Sequence, residues 1–179
     1  MWAEKLLARY LEGGPFQIVL EHSRFVACLA LDVCKHLEIA AHDRHFIEEA
    51  ALLHDIGVSQ VYAPGLGLNG ERPYIEHGVL GRAILEKEGY PAHALVCERH
   101  IGVGLTVADI IKQNLPLPHR DMSPVSLPEQ IICFADLFYS KNPAKLAHKK
   151  SVDQVRKNLL VFGEEKLQIF DGWMERFNG

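Results

Sequence analysis

Apolar residues recur at intervals of three and four along most of the chain, which is the spacing of one face of an α-helix. The longest run of this pattern extends from Phe16 to about Leu37. Further helices are predicted over approximately residues 2–11, 43–54, 73–88, 91–101, 106–113, 126–141, 152–162 and 164–177. No segment alternates convincingly between apolar and polar residues, so no strand is expected. The pattern therefore predicts an all-α helical bundle.

Polar residues at two helix starts support these boundaries. Ser126 and Glu129 have the spacing of a capping box, in which each side chain bonds the backbone of the other residue. Thr106 and Asp109 resemble the same motif with Asp in place of the usual Glu. The segment 57–73 is rich in glycine and is expected to form an ordered loop.

The length of 179 residues fits one domain, long enough to bury about two-thirds of the surface of the unfolded chain. A single domain covering residues 1–179 is therefore expected. Leu167, Phe170 and Met174 form an apolar stripe in the last predicted helix. The simplest interpretation is that the helices of residues 141–179 pack on the rest of the chain, and the alternative is that this stripe is the contact of a homodimer.

The charge balance excludes some classes of partner. The chain has 19 basic and 23 acidic residues, a net charge of −4, and no long run of Lys and Arg. This balance argues against binding nucleic acid through its phosphate backbone, whereas small phosphorylated molecules are compatible with it. The N-terminus lacks a signal-peptide pattern, and no uncharged apolar run approaches the ~18–20 residues needed to cross a bilayer. A cytoplasmic protein that does not bind membranes is expected.

Four cysteines lie in apolar helical segments without the CxxC spacing of a zinc-thiolate site. They are Cys28, Cys34, Cys97 and Cys133. Reduced thiols in the core of a cytosolic protein are the simpler interpretation, and a disulfide or a zinc-thiolate site is the alternative.

Several histidines lie on the apolar faces of their predicted helices. Taken singly, such a histidine is more often a hydrogen-bonded core residue than a metal ligand. Together, four imidazoles and two carboxylates in one core would need an improbable number of internal partners unless a metal is bound. Six ligands also exceed what one tetrahedral structural zinc needs, which favours two ions. The candidate ligands are His22, His54, Asp55, His77, His100 and Asp136.

The tetrapeptide His54-Asp55-Ile56-Gly57 closes an apolar helical run, and Gly57 is the residue type that ends a helix in the left-handed conformation. This string resembles the HDIG signature of the HD superfamily of metal-dependent phosphohydrolases. The family's other ligands find matches in order at His22, His77, His100 and Asp136. The resemblance covers roughly residues 16–140, and it implies an all-helical HD core over that range.

The resemblance to the binuclear members implies how the ligands divide. His22, His54, Asp55 and Asp136 would hold one ion, and His77 and His100 would complete a second, with Asp55 bridging the two. Such a pair can lower the pKa of a shared hydroxide and clamp a phosphoryl group for in-line attack. The implied reaction is cleavage of a small phosphoester or phosphoanhydride, nucleotide-like, by a metal-bound hydroxide, with Asp55 and His54 central to catalysis. Iron, manganese and zinc all tolerate this ligand set.

Candidates for substrate binding rest on weaker signals. Arg72 and Arg99 could each bind a phosphate through a bidentate contact, although a solvated surface arginine is the common alternative. His93 could orient a metal ligand or transfer a proton, or it could be a core histidine. Glu76 and Glu98, each next to a candidate ligand, are expected to face solvent.

Departures from the family narrow the substrate class. Members that hydrolyse cyclic dinucleotides often carry Lys directly after HDIG, whereas Val58 stands at that position here. The chain looks closer to small bacterial HD hydrolases that split dinucleoside polyphosphates. Two other functions stay open: the same ligand pattern occurs in HD-fold non-haem di-iron oxygenases, and a non-catalytic metal-binding sensor could keep the helical shell.

Overall fold

The computed structural model describes residues 1–177, and in this range the fold is built from α-helices with one very small sheet. The all-α prediction is confirmed. The helices are α1 (Trp2–Leu7), α2 (Gly13–His36), α3 (Ala41–Leu53), α4 (His77–Lys87), α5 (Pro91–Arg99), α6 (Val107–Lys112), α7 (Leu127–Leu137), α8 (Val152–Leu160) and α9 (Glu164–Phe177). None of them combines the length and apolar character that crossing a bilayer requires.

The predicted loop between α3 and α4 contains the sheet, which the sequence did not indicate. Strands β1 (Tyr62–Ala63) and β2 (Leu68–Asn69) pair antiparallel. Each strand has only two residues, so neither is long enough to display the alternation by which strands are recognised. The loop also contains the 3-10 turns Ile56–Gln60 and Tyr74–Glu76, and it is therefore ordered along much of its length.

Both predicted capping boxes form. The Ser126 side chain accepts a hydrogen bond from the backbone N–H of Glu129, whose carboxylate accepts one from the backbone N–H of Ser126. Thr106 and Asp109 make the same reciprocal pair at the start of α6. These bonds satisfy backbone N–H groups that have no partner within a helix, which explains why α6 and α7 begin at these residues.

One apolar core joins α2, α3 and α7 to the two C-terminal helices. Phe170 of α9 is fully buried in it, and its ring lies 5.9 Å from that of Phe134 in α7. Phe177 packs edge-on against Phe134 at 5.3 Å. Burial of a side chain of this size contributes about 1.5–3 kcal/mol to stability. The aromatic residues of the last helix therefore contribute to the same core that supports α2, α3 and α7.

Gly57 has a different structural role from the predicted one. Its backbone is not left-handed, so that prediction was wrong. A Cβ on Gly57 would lie 2.0 Å from the carbonyl oxygen of His77 and 2.3 Å from the backbone nitrogen of Gly81. The chain continues past α3 into a 3-10 turn, and glycine is required because this turn presses directly against α4.

The cysteines are free thiols. Cys34, Cys97 and Cys133 are buried, as expected for core residues, and burial raises the pKa of each thiol. Cys28 is exposed, so its assignment to the core was wrong. It lies on α2, the longest helix, whose outer face meets solvent.

Candidate metal centre

Five helices bring the six candidate ligands to one place. His22 lies in the middle of α2, His77 is the first residue of α4, and Asp136 lies in the last turn of α7. His54 and Asp55 follow α3, and His100 follows α5. The four histidines and Asp55 are buried, and the side chain of Asp136 is 17% exposed. The site is therefore inside the bundle, with an opening on the side of Asp136.

The two carboxylate oxygens of Asp55 face different pairs of histidines. Its Oδ2 lies 3.4 Å from His22 Nε2 and 3.1 Å from His54 Nε2. Its Oδ1 lies 3.5 Å from His77 Nε2 and 3.4 Å from His100 Nε2. A carboxylate placed in this way can offer one oxygen to each of two ions.

Asp136 belongs to only one side of this arrangement. Its Oδ1 lies 2.9 Å from His22 Nε2 and 3.6 Å from His54 Nε2. Ligand atoms of these three residues all lie within 4.8 Å of one another, and the same holds for a second group of His54, Asp55 and His100. Both groups have the mixture of imidazole and carboxylate that divalent transition metals accept.

Three of the histidines are oriented by the backbone. In each, Nδ1 lies at hydrogen-bond distance from the carbonyl oxygen of the residue three positions earlier. The pairs are His54 with Ala51 at 2.6 Å, His77 with Tyr74 at 2.7 Å and His100 with Cys97 at 2.7 Å. A carbonyl only accepts, so Nδ1 carries the proton and Nε2 of the neutral ring presents its lone pair to the centre. This is the usual arrangement of a histidine that binds a metal.

Several buried polar atoms at the centre make no well-aligned hydrogen bond among the described residues, although His22 Nε2 and Asp55 Oδ2 have the ionic neighbours Asp136 and Lys141. They are Nε2 of His22, Nε2 of His54 and both carboxylate oxygens of Asp55. An unsatisfied buried polar group costs about 1–3 kcal/mol. Bound cations would satisfy all four atoms at once. The donor set therefore fits divalent metal ions.

Lys141 is a part of the centre that sequence reasoning missed. Its Nζ lies 2.8 Å from Asp55 Oδ2, and its side chain is largely buried. Lys141 lies beyond the end of α7, outside any apolar stripe, so helical periodicity contains no signal for it. Tyr74, whose ring lies 4.8 Å from that of His77, was also missed.

The pKa values of the two carboxylates reflect this concentration of charge. Burial alone would raise them, but His54 and Lys141 hold the pKa of Asp55 well below its usual range. Lys141 and His22 do the same for Asp136. Both side chains are therefore ionised at neutral pH, as metal ligands must be.

The imidazole pKa values differ with their neighbours. Burial and the adjacent His100 lower the pKa of His77 to about 3, so His77 is neutral at physiological pH. For His54, burial acts to lower the pKa, but Asp55 and Asp136 outweigh it and raise the pKa to about 10. A proton on His54 Nε2 is favoured in the protein alone, and a cation bound there would displace that proton.

The two arginines proposed for substrate binding form ion pairs with glutamates. Arg72 Nε donates to Glu76 at 2.8 Å, and Arg99 Nη1 donates to Glu129 at 3.0 Å. Arg72 is more than half exposed, whereas Arg99 is 22% exposed. Each of the two guanidinium groups is therefore already paired with a carboxylate of this chain.

Glu76 and Glu98 are buried, so the expectation that they face solvent was wrong. Glu76 accepts the hydrogen bond from Arg72. Glu98 accepts from Arg82 at 2.5 Å and also from Arg120. A buried carboxylate is tolerated when it is paired in this way, and the sequence gives no indication of partners so distant in the chain.

His93 lies in a different environment from the six candidate ligands. Its Nε2 is 3.6 Å from a carboxylate oxygen of Glu49, and its ring packs edge-on against Trp2 and Tyr90 at 5.5 and 5.7 Å. His93 is therefore among the aromatic residues where α1, α3 and α5 meet. The contacts match the alternative that His93 is a core histidine.

The chain belongs to the HD domain family, whose profile matches residues 19–140. The matched range contains all six candidate ligands and ends just before Lys141. The HD domain defines a superfamily of metal-dependent phosphohydrolases. The buried His and Asp groups described above are compatible with the binding of divalent metal ions.

Similar curated proteins come from archaea. An uncharacterized protein of Methanocaldococcus jannaschii is 35% identical over 121 residues, which is 66% of this chain and 64% of that protein. A tRNA (cytidine(56)-2'-O)-methyltransferase of Thermoplasma volcanium is 29% identical over 163 residues, 90% of this chain and 42% of the enzyme. The enzyme of the same name from Picrophilus torridus is 33% identical over 95 residues, 52% of this chain and 24% of the enzyme.

The chain therefore spans less than two-thirds of the length of each of these relatives. No solved structure matches the chain significantly.

Proposed function

We propose that this protein is a metal-dependent phosphohydrolase that cleaves a small phosphoester or phosphoanhydride. The observation that supports the proposal is the position of Asp55. Each of its carboxylate oxygens faces a different pair of imidazoles, and the ammonium group of Lys141 lies beside it. A carboxylate between two sets of neutral nitrogen ligands suits a pair of divalent ions that share one bridging residue.

Each ion would be held by the histidines that face the same carboxylate oxygen of Asp55. His22, His54 and Asp136 would hold one ion with Oδ2 of Asp55, and His77 and His100 would hold the other with Oδ1. Two divalent ions at such a site lower the pKa of a bound water and withdraw charge from phosphoryl oxygens. Iron, manganese and zinc all suit this combination of imidazole and carboxylate ligands.

The residues of the chain would contribute orientation and charge. The backbone carbonyls that bind Nδ1 of His54, His77 and His100 keep the rings aimed at the centre. Lys141 is placed to meet a phosphoryl oxygen, since its ammonium lies within 2.8 Å of Asp55 at the edge of the site. In the reaction, a bond forms between water oxygen and phosphorus, the bond from phosphorus to the leaving oxygen breaks, and a proton of the water ends on the leaving oxygen.

Methyl transfer, the activity named for two of the relatives, is not proposed for this chain. The matched segments cover 42% and 24% of those enzymes, so methyl transfer can reside in the parts that do not match. The six clustered ligands suit metal-assisted hydrolysis and offer no recognisable methyl-donor site. The proposed partner is thus a small phosphorylated molecule.

The test is a phosphate-release screen over nucleotides, dinucleoside polyphosphates and sugar phosphates, combined with elemental analysis of the purified protein. We expect about two ions per chain and release of inorganic phosphate with manganese, both with and without dioxygen. Oxygen uptake that depends on substrate and on iron would instead support the di-iron oxygenase. Stable metal binding without turnover of any compound would support the sensor.

A further inference from the structure

A cavity of about 290 Å³ lies between α7, α8 and the turn at residues 101–105. We call it the Asp136 cavity, because Asp136 lines it together with Lys141. These two residues also belong to the candidate metal centre, so the cavity opens directly onto that centre. Most of its wall is aliphatic or aromatic, and the apolar lining includes Ile101, Val103, Leu137, Val155, Leu159 and Phe162.

The polar groups of the cavity are concentrated at a few points. Lys150 donates to two backbone carbonyls at 2.9 and 3.0 Å, and Lys166 donates to a backbone carbonyl and to Asp109. Lys141 instead extends to Asp55, so its charge lies at the metal centre. The amide side chains of Gln113 and Asn158 also line the cavity. A molecule there would meet the charges of Asp136 and Lys141 at one end. Elsewhere it would meet two amides, two ammonium groups already bonded to protein oxygens, and mainly apolar side chains.

We propose that the Asp136 cavity holds the organic part of the substrate, and that this part is a compact, largely apolar group attached to a phosphate that reaches Lys141. The inference rests on the proposed hydrolase function. Apolar walls favour an alkyl or aryl group because burial removes its surface from water. A polyhydroxylated group is disfavoured, since Gln113 and Asn158 can pair with only a few of its hydroxyls and each hydroxyl buried without a partner costs free energy.

The size of the cavity sharpens this assignment. Ligand pockets usually measure about 300–1,000 Å³, and this one is just below that range. It accommodates one ring system, whereas the two nucleosides of a dinucleoside polyphosphate would not both fit. The similarity to hydrolases of dinucleoside polyphosphates therefore does not extend to enclosure of both nucleosides.

The first experiment measures binding without turnover. The fluorescent neutral alcohol 1-naphthalenemethanol is titrated into the protein after chelation of metals, and again after loading with manganese. Phe162 lines the cavity and is 53% exposed, so Phe162→Asp should fold and should weaken binding at least about tenfold. The matched control is Val161→Asp, because Val161 is 80% exposed and is not part of the lining. We expect the control to bind as the wild type does.

The second experiment compares two phosphate esters of primary alcohols in the manganese-loaded protein. Benzyl phosphate should have a kcat/KM at least about tenfold above that of glycerol 1-phosphate, because only the benzyl group matches the apolar wall. Phe162→Asp should remove this preference mainly through KM. Lys141→Met should weaken inhibition by benzylphosphonate by a larger factor than it changes binding of 1-naphthalenemethanol, since the alcohol has no anionic group for Lys141.

The outcomes separate the two proposals. Two results would overturn the cavity assignment and leave the hydrolase intact. One is equal binding of 1-naphthalenemethanol by Phe162→Asp and Val161→Asp. The other is a higher kcat/KM for glycerol 1-phosphate than for benzyl phosphate. Binding that depends on Phe162, with no phosphate released from any ester, would overturn the hydrolase and with it the substrate assignment. Binding that depends on Phe162 together with the benzyl preference supports both.

Discussion

The Nε2 atoms of His77 and His100 lie 3.0 Å apart, and the Nδ1 atom of each ring is bonded to a backbone carbonyl. When both rings are neutral, two lone pairs face each other at this distance, which is repulsive. A divalent cation held by both rings would engage these two lone pairs and remove the repulsion. His77 and His100 would therefore hold the same cation if a metal binds at this centre.

Removing one of these two rings should release one ion. In His77→Ala or His100→Ala, we expect the metal content to fall by about one ion per chain, because the other ion keeps His22, His54 and Asp136. Elemental analysis after dialysis measures the loss. His119→Ala serves as the control, since His119 is exposed and belongs to neither group of clustered ligand atoms. An unchanged content in both His77→Ala and His100→Ala would remove the second ion from the proposal.

Replacing Asp55 by Ala should abolish turnover. The substitution removes the one carboxylate that faces both pairs of histidines. The loss of several kcal/mol of transition-state stabilisation corresponds to a decrease in kcat of at least about a thousandfold. Steady-state phosphate release is the measurement. Asp32→Ala should retain wild-type activity because Asp32 is exposed on α2, and activity in purified Asp55→Ala would contradict the model decisively.

Gly57→Ala should destabilise the fold and disturb the metal centre together. The added Cβ would lie 2.0 Å from the carbonyl oxygen of His77, so the 3-10 turn and α4 would have to separate. Overpacking of this kind costs about 3 kcal/mol or more when backbone must move. Chemical denaturation measures the change in the free energy of unfolding. Gly65→Ala is the matched control, since a Cβ there has no atom within 4 Å, and we expect a change smaller than about 0.5 kcal/mol.

Asp109 should make part of the stability depend on pH. Burial acts to raise its pKa, but hydrogen bonds from Lys166 (2.5 Å) and Thr106 (2.7 and 2.8 Å) outweigh it, so the pKa lies below its ordinary value. A carboxyl group with a lowered folded-state pKa stabilises the fold above its unfolded pKa of ~3.9, and the contribution is lost as the pH falls through the folded value.

Comparison of the wild type with Asp109→Asn measures this contribution. Urea denaturation should give a wild type that is more stable by about 1.5–3 kcal/mol near pH ~6, with the difference shrinking toward pH ~3. A difference that stays constant over this range would show that the ionised carboxylate is not the source of the stability.

The sequence was sufficient to predict the helical fold and to predict that the six candidate ligands lie on buried faces or ends of the helices. Each histidine followed an apolar helical stripe or the HDIG string, and these local patterns determine which face of a helix is buried. The capping boxes at Thr106 and Ser126 were equally local, because both partners lie within four residues. The HD family assignment is confirmed by the profile match over residues 19–140.

Features that depend on distant parts of the chain could not be predicted. Lys141 reaches Asp55 across 86 positions of sequence only because α3 and α7 end on the same side of the bundle. Glu98 is buried because Arg82 and Arg120 come from other segments to pair with it. Gly57 was assigned a conformational role from its residue type, whereas its contact with α4 is a tertiary feature that no local pattern contains.

The bonds from three imidazoles to main-chain carbonyls carry an evolutionary implication. Backbone carbonyls, and not other side chains, fix the orientation of these three rings. Substitutions of neighbouring side chains therefore leave the orientation of the rings unchanged. The walls of the Asp136 cavity are formed by different residues and can vary independently. A lineage carrying this scaffold can therefore acquire new substrates by exchanging wall residues while the reactive core remains in place.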